Sequence, residues 1–395
     1  MKLAQRTSMI EASPTLAMSA KAKQLKSQGI DVIDFGVGEP DFDTPEHIKK
    51  ACIKAIENGF TKYTAAAGIP ELKKVLSEKM KTRNNLDYAP DQIIISNGGK
   101  HSLFNIMMAL LDPGDEVILP APYWVSYPEQ VKMAGGVNVI VPTLEENGFK
   151  MTPEDFKKAI TPKTKMLIIN SPSNPTGGIY SEIELKALAD ICVKNNIYVC
   201  SDECYEDLVY DGEKHVSIAS FGKEIYDLTI SCFTFSKSYA MTGWRLGYCA
   251  GPKEAIKAMS EFQSHTTSNP VSFVQKGGIE AITGPSAEPL KMMYTEFDKR
   301  RKRIVELLSK VPGVSCQVPK GAFYAFPNVS GLFGKTYHGV SVNNSLELCN
   351  YLLEKGHIAT VPGSAFGAEG FVRFSYATSM ENIEEGIRRM TEALQ

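Results

Sequence analysis

The segment Ile225-Tyr-Asp-Leu-Thr-Ile-Ser-Cys-Phe-Thr-Phe-Ser-Lys-Ser-Tyr-Ala-Met-Thr-Gly-Trp-Arg-Leu-Gly-Tyr-Cys-Ala-Gly251 holds two β-prone runs, Leu228 to Phe235 and Leu246 to Ala250. Between them lies a polar loop with one lysine, Lys237, and one arginine, Arg245. A lysine at the lip of a buried strand is desolvated, and desolvation lowers an ammonium pKa. Such a lysine is a candidate imine-forming nucleophile. The plain alternative is a solvated loop lysine, and the surrounding chain must decide between them.

Outward from this segment the pattern alternates. Upstream, helical patterns at 45–58 and 70–83 lead to the apolar run Ile93-Ile-Ile-Ser, and a helix opens near Gly99. Strands at 116–119, 137–141, 166–169 and 197–200 then alternate with helices at 125–134, 153–160 and 181–195. This succession predicts an α/β fold whose mostly parallel sheet is sandwiched by helices. Residues 45–285 are read as this large domain. A charged helix over 286–310 is read as a connector. Residues 311–395, with short strands near 323–326, 357–361 and 371–374, join the arm 1–44 in a smaller α+β domain.

Composition narrows the classes. The 395 residues allow two domains, at roughly 100–200 residues each. A net charge of −2 offers no basic footprint for nucleic acid and no polybasic membrane patch. No apolar run approaches the roughly 18 residues that a membrane span needs. Residues 1–14 do not read as a secretory signal. The eight cysteines and six histidines are scattered, so reduced thiols, a cytoplasmic location and no metal site are expected.

Ligands on parallel sheets sit beyond the carboxyl ends of the strands. After Ile93-Ile-Ile-Ser comes Asn97-Gly-Gly-Lys-His, where glycines open a helix and expose backbone N–H groups to an anion. Ile94 and His101 stand where a Walker loop needs glycine and Ser or Thr, so nucleotide hydrolysis is disfavoured. Asp41, where a third glycine would be needed, removes the dinucleotide fingerprint. Trp124 follows the next strand and is able to stack on a flat ring. Asn174 stands in a turn stiffened by Pro172 and Pro175. Asp202 directly follows a buried strand, a costly place for a carboxylate without a cation, and Tyr205 lies just beyond it. Each feature has an ordinary reading: a glycine turn, a core tryptophan, a tight βα turn, a helix cap. Together, with Thr234, Ser236 and Arg245 beside the lysine, they match a Schiff-base lysine with an aspartate for a pyridinium nitrogen, the signature of a pyridoxal phosphate site.

The chain resembles class I aminotransferases of the fold-type-I pyridoxal phosphate enzymes from end to end, and within them the bacterial and archaeal aspartate aminotransferase branch. The resemblance rests on Gly38-Glu-Pro-Asp-Phe-Asp-Thr-Pro, Tyr63, Gly98-Gly-Lys, Pro122-Tyr-Trp-Val-Ser-Tyr, Asn170 to Gly177, Ser201-Asp-Glu, Ser236-Lys-Ser, Gly243-Trp-Arg-Leu-Gly-Tyr and Val372-Arg-Phe-Ser-Tyr-Ala. It implies that Lys237 forms the Schiff base and then moves the substrate proton, that Asp202 pairs with the ring nitrogen, and that Tyr205 and Asn174 bond the ring O3′. It implies that Trp124 stacks on the ring, and that Gly99 and Lys100 N–H groups, Thr234, Ser236 and Arg245 hold the phosphate. Tyr63 would reach the phosphate of a neighbouring subunit in a homodimer with shared active sites. Arg373, with Asn174 and Gly38, would bind the substrate α-carboxylate, and a guanidinium suits that bidentate task. Ping-pong kinetics and closure of the smaller domain over the substrate are expected.

The substrate side chain is less legible. No arginine lies between Arg245 and Arg300, so the partner arginine of the animal-type branch is missing. The related bacterial branch implies that Lys100, helped by Ser13 and Thr15, binds the distal carboxylate of aspartate, glutamate or oxaloacetate. Aspartate and 2-oxoglutarate are the expected pair, with prephenate or aromatic substrates an open alternative within the branch. A lyase or synthase of the same fold would share every cofactor contact. A transcription regulator would need a DNA-binding domain, for which the segment before the first βα unit is too short.

Overall fold

The central sheet of the computed structural model is built from β1 (Ile93–Ser96), β2 (Glu116–Ala121), β3 (Val137–Pro142), β4 (Thr164–Asn170), β5 (Tyr198–Asp202), β6 (Thr229–Thr234) and β7 (Gly247–Ala250). The structure describes residues 1, 3–11 and 14–395, without the side chains of residues 5, 6 and 14–16. The strand order is β1-β7-β6-β5-β4-β2-β3, parallel throughout except β7, which runs antiparallel to both β1 and β6. The reversal matches what links β6 to β7. The segment 235–246 holds one helical turn, Phe235–Ser238, and a 3-10 turn, Thr242–Trp244, in place of the full helix that usually crosses between parallel strands. Lys237 therefore sits on a short helical turn rather than in an open loop.

Strand side chains alternate between two covered faces. Leu119, Met166, Ile168, Cys200 and Ile230 join the helix residues Leu103 and Ile106 in one core. Ile118, Leu167, Ile169 and Val199 meet Leu185 and Leu188 in another. Burial on both faces is why these strands read as unbroken apolar runs.

The second layer is built from both ends of the chain. Ile33–Asp34 pairs in parallel with Ile358–Ala359. Val372–Ser375 lies between Val361–Pro362 and Tyr324–Ala325, antiparallel to both. Helices Ser345–Lys355 and Met380–Ala393 cover these strands, and helix Ala287–Leu308 packs on the latter through a core that includes Phe297, Ile304 and Leu308. The first helix runs Pro14–Ser27, and a proline fits its first turn. Lys21 on it bonds Asn350 and Glu354, tying the arm to helix Ser345–Lys355. The run expected near 357–361 is two short strands, and a hairpin, Lys335–Tyr337 with Val340–Val342, was not anticipated.

Candidate active site

The carboxyl ends of β4, β5 and β6 and the opening of helix Gly99–Leu110 meet the second layer across an open cleft of about 650 Å³. Lys237 stands on its floor. Its Nζ donates to the Gly38 carbonyl at 2.5 Å and lies 5.7 Å from the Tyr205 ring centre. Burial disfavours the ammonium and brings its pKa down to about 8, and no carboxylate among the described residues pairs with it. A lysine in this state is within reach of deprotonation near neutral pH.

Asp202 ends β5 at 5% exposure. It accepts from the Tyr127 hydroxyl at 2.6 Å and from the Cys204 N–H at 3.2 Å, and makes no ion pair among the described residues, although the Lys237 charge acts on it across the cleft. Burial raises its pKa. Its neighbour Tyr205 is buried, with its hydroxyl 2.8 Å from that of Tyr324. Asn174 is set by its turn: its N–H donates to Asn170 Oδ1, and its Oδ1 accepts from Arg373 Nη1 at 2.9 Å.

Arg373, 3% exposed on the middle strand of the second sheet, also donates to the Gly36 carbonyl, and its buried Nε has no partner. Desolvation lowers its pKa, and no carboxylate satisfies the guanidinium among the described residues. The expected neighbour Gly38 thus serves Lys237, while Gly36 serves Arg373.

At the cleft's other end, helix Gly99–Leu110 opens with the N–H groups of Gly99 and Lys100, while those of His101 and Ser102 donate to the Gly98 carbonyl. Gly98 is left-handed (φ +87°), and a Cβ there would come within 2.5 Å of Arg245 Nη2. A Cβ on Gly247 of β7 would sit 2.5 Å from the Gly99 nitrogen. Glycine is required at both positions by this close approach. Thr234 donates to Ser236 Oγ and takes its N–H, placing two hydroxyls beside Arg245. The combination makes an anion cradle.

Lys100 holds its ammonium 4.9 Å from the Trp124 ring centre, and partial burial with the Arg245 charge lowers its pKa. Tyr63 is 92% exposed and lies outside this cleft. Ser13 and the Thr15 side chain lie outside the described residues. Two residues that sequence reasoning did not single out matter here. Tyr127 stands three positions after Trp124, in the first turn of helix Ser126–Met133, where its N–H donates to the Trp124 carbonyl and its ring meets the Trp124 ring edge-on at 5.4 Å. Tyr324 lies far away in sequence and had no local signal.

The family of class I and II aminotransferases matches residues 30–390. The chain belongs to it. A probable aspartate/prephenate aminotransferase of Aquifex aeolicus is 50% identical over 394 residues, which is 100% of this chain and 98% of that protein. The aspartate aminotransferase of Bacillus subtilis is 50% identical over 390 residues, covering 99% and 98%. The crystal structure of the aspartate aminotransferase from Rhizobium meliloti superposes with a TM-score of 0.96 at 43% identity, covering 100% and 99% of the two chains. The chain is therefore an aminotransferase with the α/β fold expected from its strand pattern. Among the described residues no helix is long and apolar enough to cross a membrane, and no cluster of His, Cys, Asp or Glu would hold a metal ion. All eight cysteines are unpaired.

Proposed function

We propose that this aminotransferase uses pyridoxal phosphate to move the amino group of L-aspartate to 2-oxoglutarate, giving oxaloacetate and L-glutamate. The observation that carries the cofactor is Asp202: a buried carboxylate without an ion-pair partner among the described residues, facing the cleft that holds a desolvated lysine. A pyridinium N–H⁺ supplies the missing charge. The cradle of Gly99, Lys100, Thr234, Ser236 and Arg245 fits a phosphate, and Tyr205 and Asn174 fit a ring hydroxyl oxygen. Trp124 offers a face for the ring.

When bound, the cofactor supplies an aldehyde carbon for the amino nitrogen and a ring that accepts the electron pair left at Cα. The chain does the rest. Lys237 holds the cofactor at rest and, once released, takes the Cα proton as general base and returns it on the other side of the transfer. Its lowered pKa keeps a neutral amine accessible. Arg373 forks onto the substrate α-carboxylate and fixes the Cα–H direction, with its free Nε completing the fit. Lys100 reads the distal carboxylate, so Lys100→Ala lowers kcat/KM for aspartate by about 10- to 100-fold and leaves a neutral amino acid nearly unaffected.

The reading extends to a homodimer in which Tyr63 serves the neighbouring subunit's phosphate, and to a cytoplasmic enzyme. We also infer that 45–285 and 1–44 with 311–395 act as two bodies, joined by the long helix, that close on the substrate and exclude water. A second reading, shared activity on prephenate, is favoured by relatives of equal identity that carry the two different names. Visible spectra of the purified protein test both. Aspartate must convert the bound chromophore and 2-oxoglutarate must restore it, and prephenate in the same assay decides the second acceptor. Absence of a visible cofactor band, or no cycling, overturns the proposal.

A further inference from the structure

Tyr324 lies at 1% exposure on the short strand that pairs with Val372–Ser375. Three parts of the site converge on it. Its hydroxyl is 2.8 Å from the Tyr205 hydroxyl. Its ring lies against the Arg373 guanidinium, 4.5 Å from centre to carbon. Gly38 passes so close that a Cβ there would come to 2.8 Å from the Tyr324 hydroxyl, and the Gly38 carbonyl holds Lys237.

We propose that Tyr324 is a positioning residue with two separable tasks: its hydroxyl donates to Tyr205 and so aims the Tyr205 proton into the cleft, and its ring supports Arg373. This deepens the pyridoxal phosphate reading and rests on it.

The direction of the bond follows from counting protons. Each phenol carries one proton and accepts through its lone pairs. Were Tyr205 to donate to Tyr324, only lone pairs would face the cleft, and a ligand oxygen there would meet no donor. With Tyr324 donating, the Tyr205 proton is left for that oxygen, and both hydroxyl protons have acceptors. Leaving either buried proton unbonded is costly. A donor chain of this kind also polarises, so Tyr324 strengthens the Tyr205 hydrogen bond. Burial keeps both phenols protonated, raising Tyr205 well above its ordinary value and Tyr324 to about 12. The charged and titratable groups around the pair are Arg373, Lys237 and the Cys204 thiol.

The support of Arg373 is independent of the hydroxyl. Its guanidinium has the Tyr324 ring at 4.5 Å and Phe366 at 5.2 Å, and its edges bond Asn174 and Gly36. The Tyr324 ring shares the support of that plane with Phe366 and needs no hydroxyl to do so.

The test uses pyridoxal phosphate holoenzymes of wild type, Y324F, Y205F, the double variant Y205F/Y324F, and Y324L. Visible absorbance is titrated against pH, and steady-state constants are measured with aspartate. A Tyr205 proton on the ring oxygen favours the deprotonated chromophore, so Y324F raises the chromophore pKa by about half a unit to one unit. Y324F keeps the ring and changes the aspartate KM by no more than about twofold, whereas Y324L raises it about 3- to 30-fold. In the Y205F background, Y324F adds no further spectral shift, which a merely structural role would not predict. An unshifted Y324F chromophore, an equal shift with and without the Tyr205 hydroxyl, or an unchanged KM in Y324L overturns the proposal while leaving the cofactor reading intact. A wild-type protein without a titrating visible band overturns both. Should Y324L not fold, Y324F and the double variant still decide.

Discussion

Arg301, on the buried face of the long helix, ends on Asp211, Asp298 and the Pro319 carbonyl, whereas Arg373 in the cleft wall donates only to a side-chain amide and a carbonyl. The same division runs through two adjacent acids. Glu203 is closed off by His215 at 2.8 Å, Ser217 at 2.7 Å and Ser201 at 2.9 Å, and this company lowers its pKa despite burial. Asp202, one residue earlier, makes no ion pair among the described residues, and its pKa rises. The lysines follow suit: Lys79 is paired with Glu206, and Lys237 is not paired with a carboxylate. Charges whose partners lie within the chain hold the fold, and those of the cleft are half-made pairs that wait for a ligand.

The largest break in this pattern comes from Lys237→Ala. Removing a general base that also anchors the cofactor lowers kcat by about 10⁴-fold, with thermal unfolding at or above the wild-type temperature because an unpaired buried cation is gone. Lys79→Ala does the reverse, weakening the fold and sparing the chemistry. Next, Asp202→Asn costs about 10²–10³-fold in kcat/KM without loss of stability, while Glu203→Gln lowers unfolding free energy by about 3–5 kcal/mol. Equal stability losses in the two acid variants would erase the distinction. Arg373→Lys comes third, with an aspartate kcat/KM lower by about 10- to 100-fold, against an Arg301→Lys variant whose KM is unchanged but whose urea midpoint falls.

The smallest effect is a pH dependence of stability. Burial works against a charged His215, but the bond and charge of Glu203 outweigh it and raise the pKa above the ordinary 6.5. A raised histidine contributes fully below that value and loses its contribution as pH climbs through the folded pKa. Glu203, lowered from 4.5, contributes above that value and fails as pH falls through its folded pKa. The pair therefore stabilises most between about pH 4.5 and about pH 6.5. The gap in urea midpoint between wild type and His215→Gln should narrow above neutrality. A gap independent of pH would refute the assignment.

The sheet was legible because strands buried on both faces are apolar throughout, and the rule that ligands lie beyond strand ends pointed to Asp202, Asn174 and Lys237 from position alone. The antiparallel entry of β7 was not, since β propensity carries no direction and a link of twelve residues is compatible with either one. The hairpin at 335–342 escaped because its strands are short and largely exposed, with little periodicity to detect. Tyr324 escaped for a different reason. Its meaning lies in a hydroxyl contact to Tyr205 across a fold that only tertiary packing brings together. Lys100 was legible as a cation, but not its place over Trp124.

The close passage of Gly247 against Gly98 and Gly99 has a consequence for how such a protein changes over time. Backbone fills that end of the cleft, so almost any new side chain there displaces the anion cradle, and drift is barred. The opposite wall offers side chains instead, among them Ser19 and Lys23 on the first helix, which can be exchanged without moving a strand. Novelty in substrate taste is thus cheap on one side of the cleft and forbidden on the other, and a library aimed at new substrates belongs on the N-terminal helix.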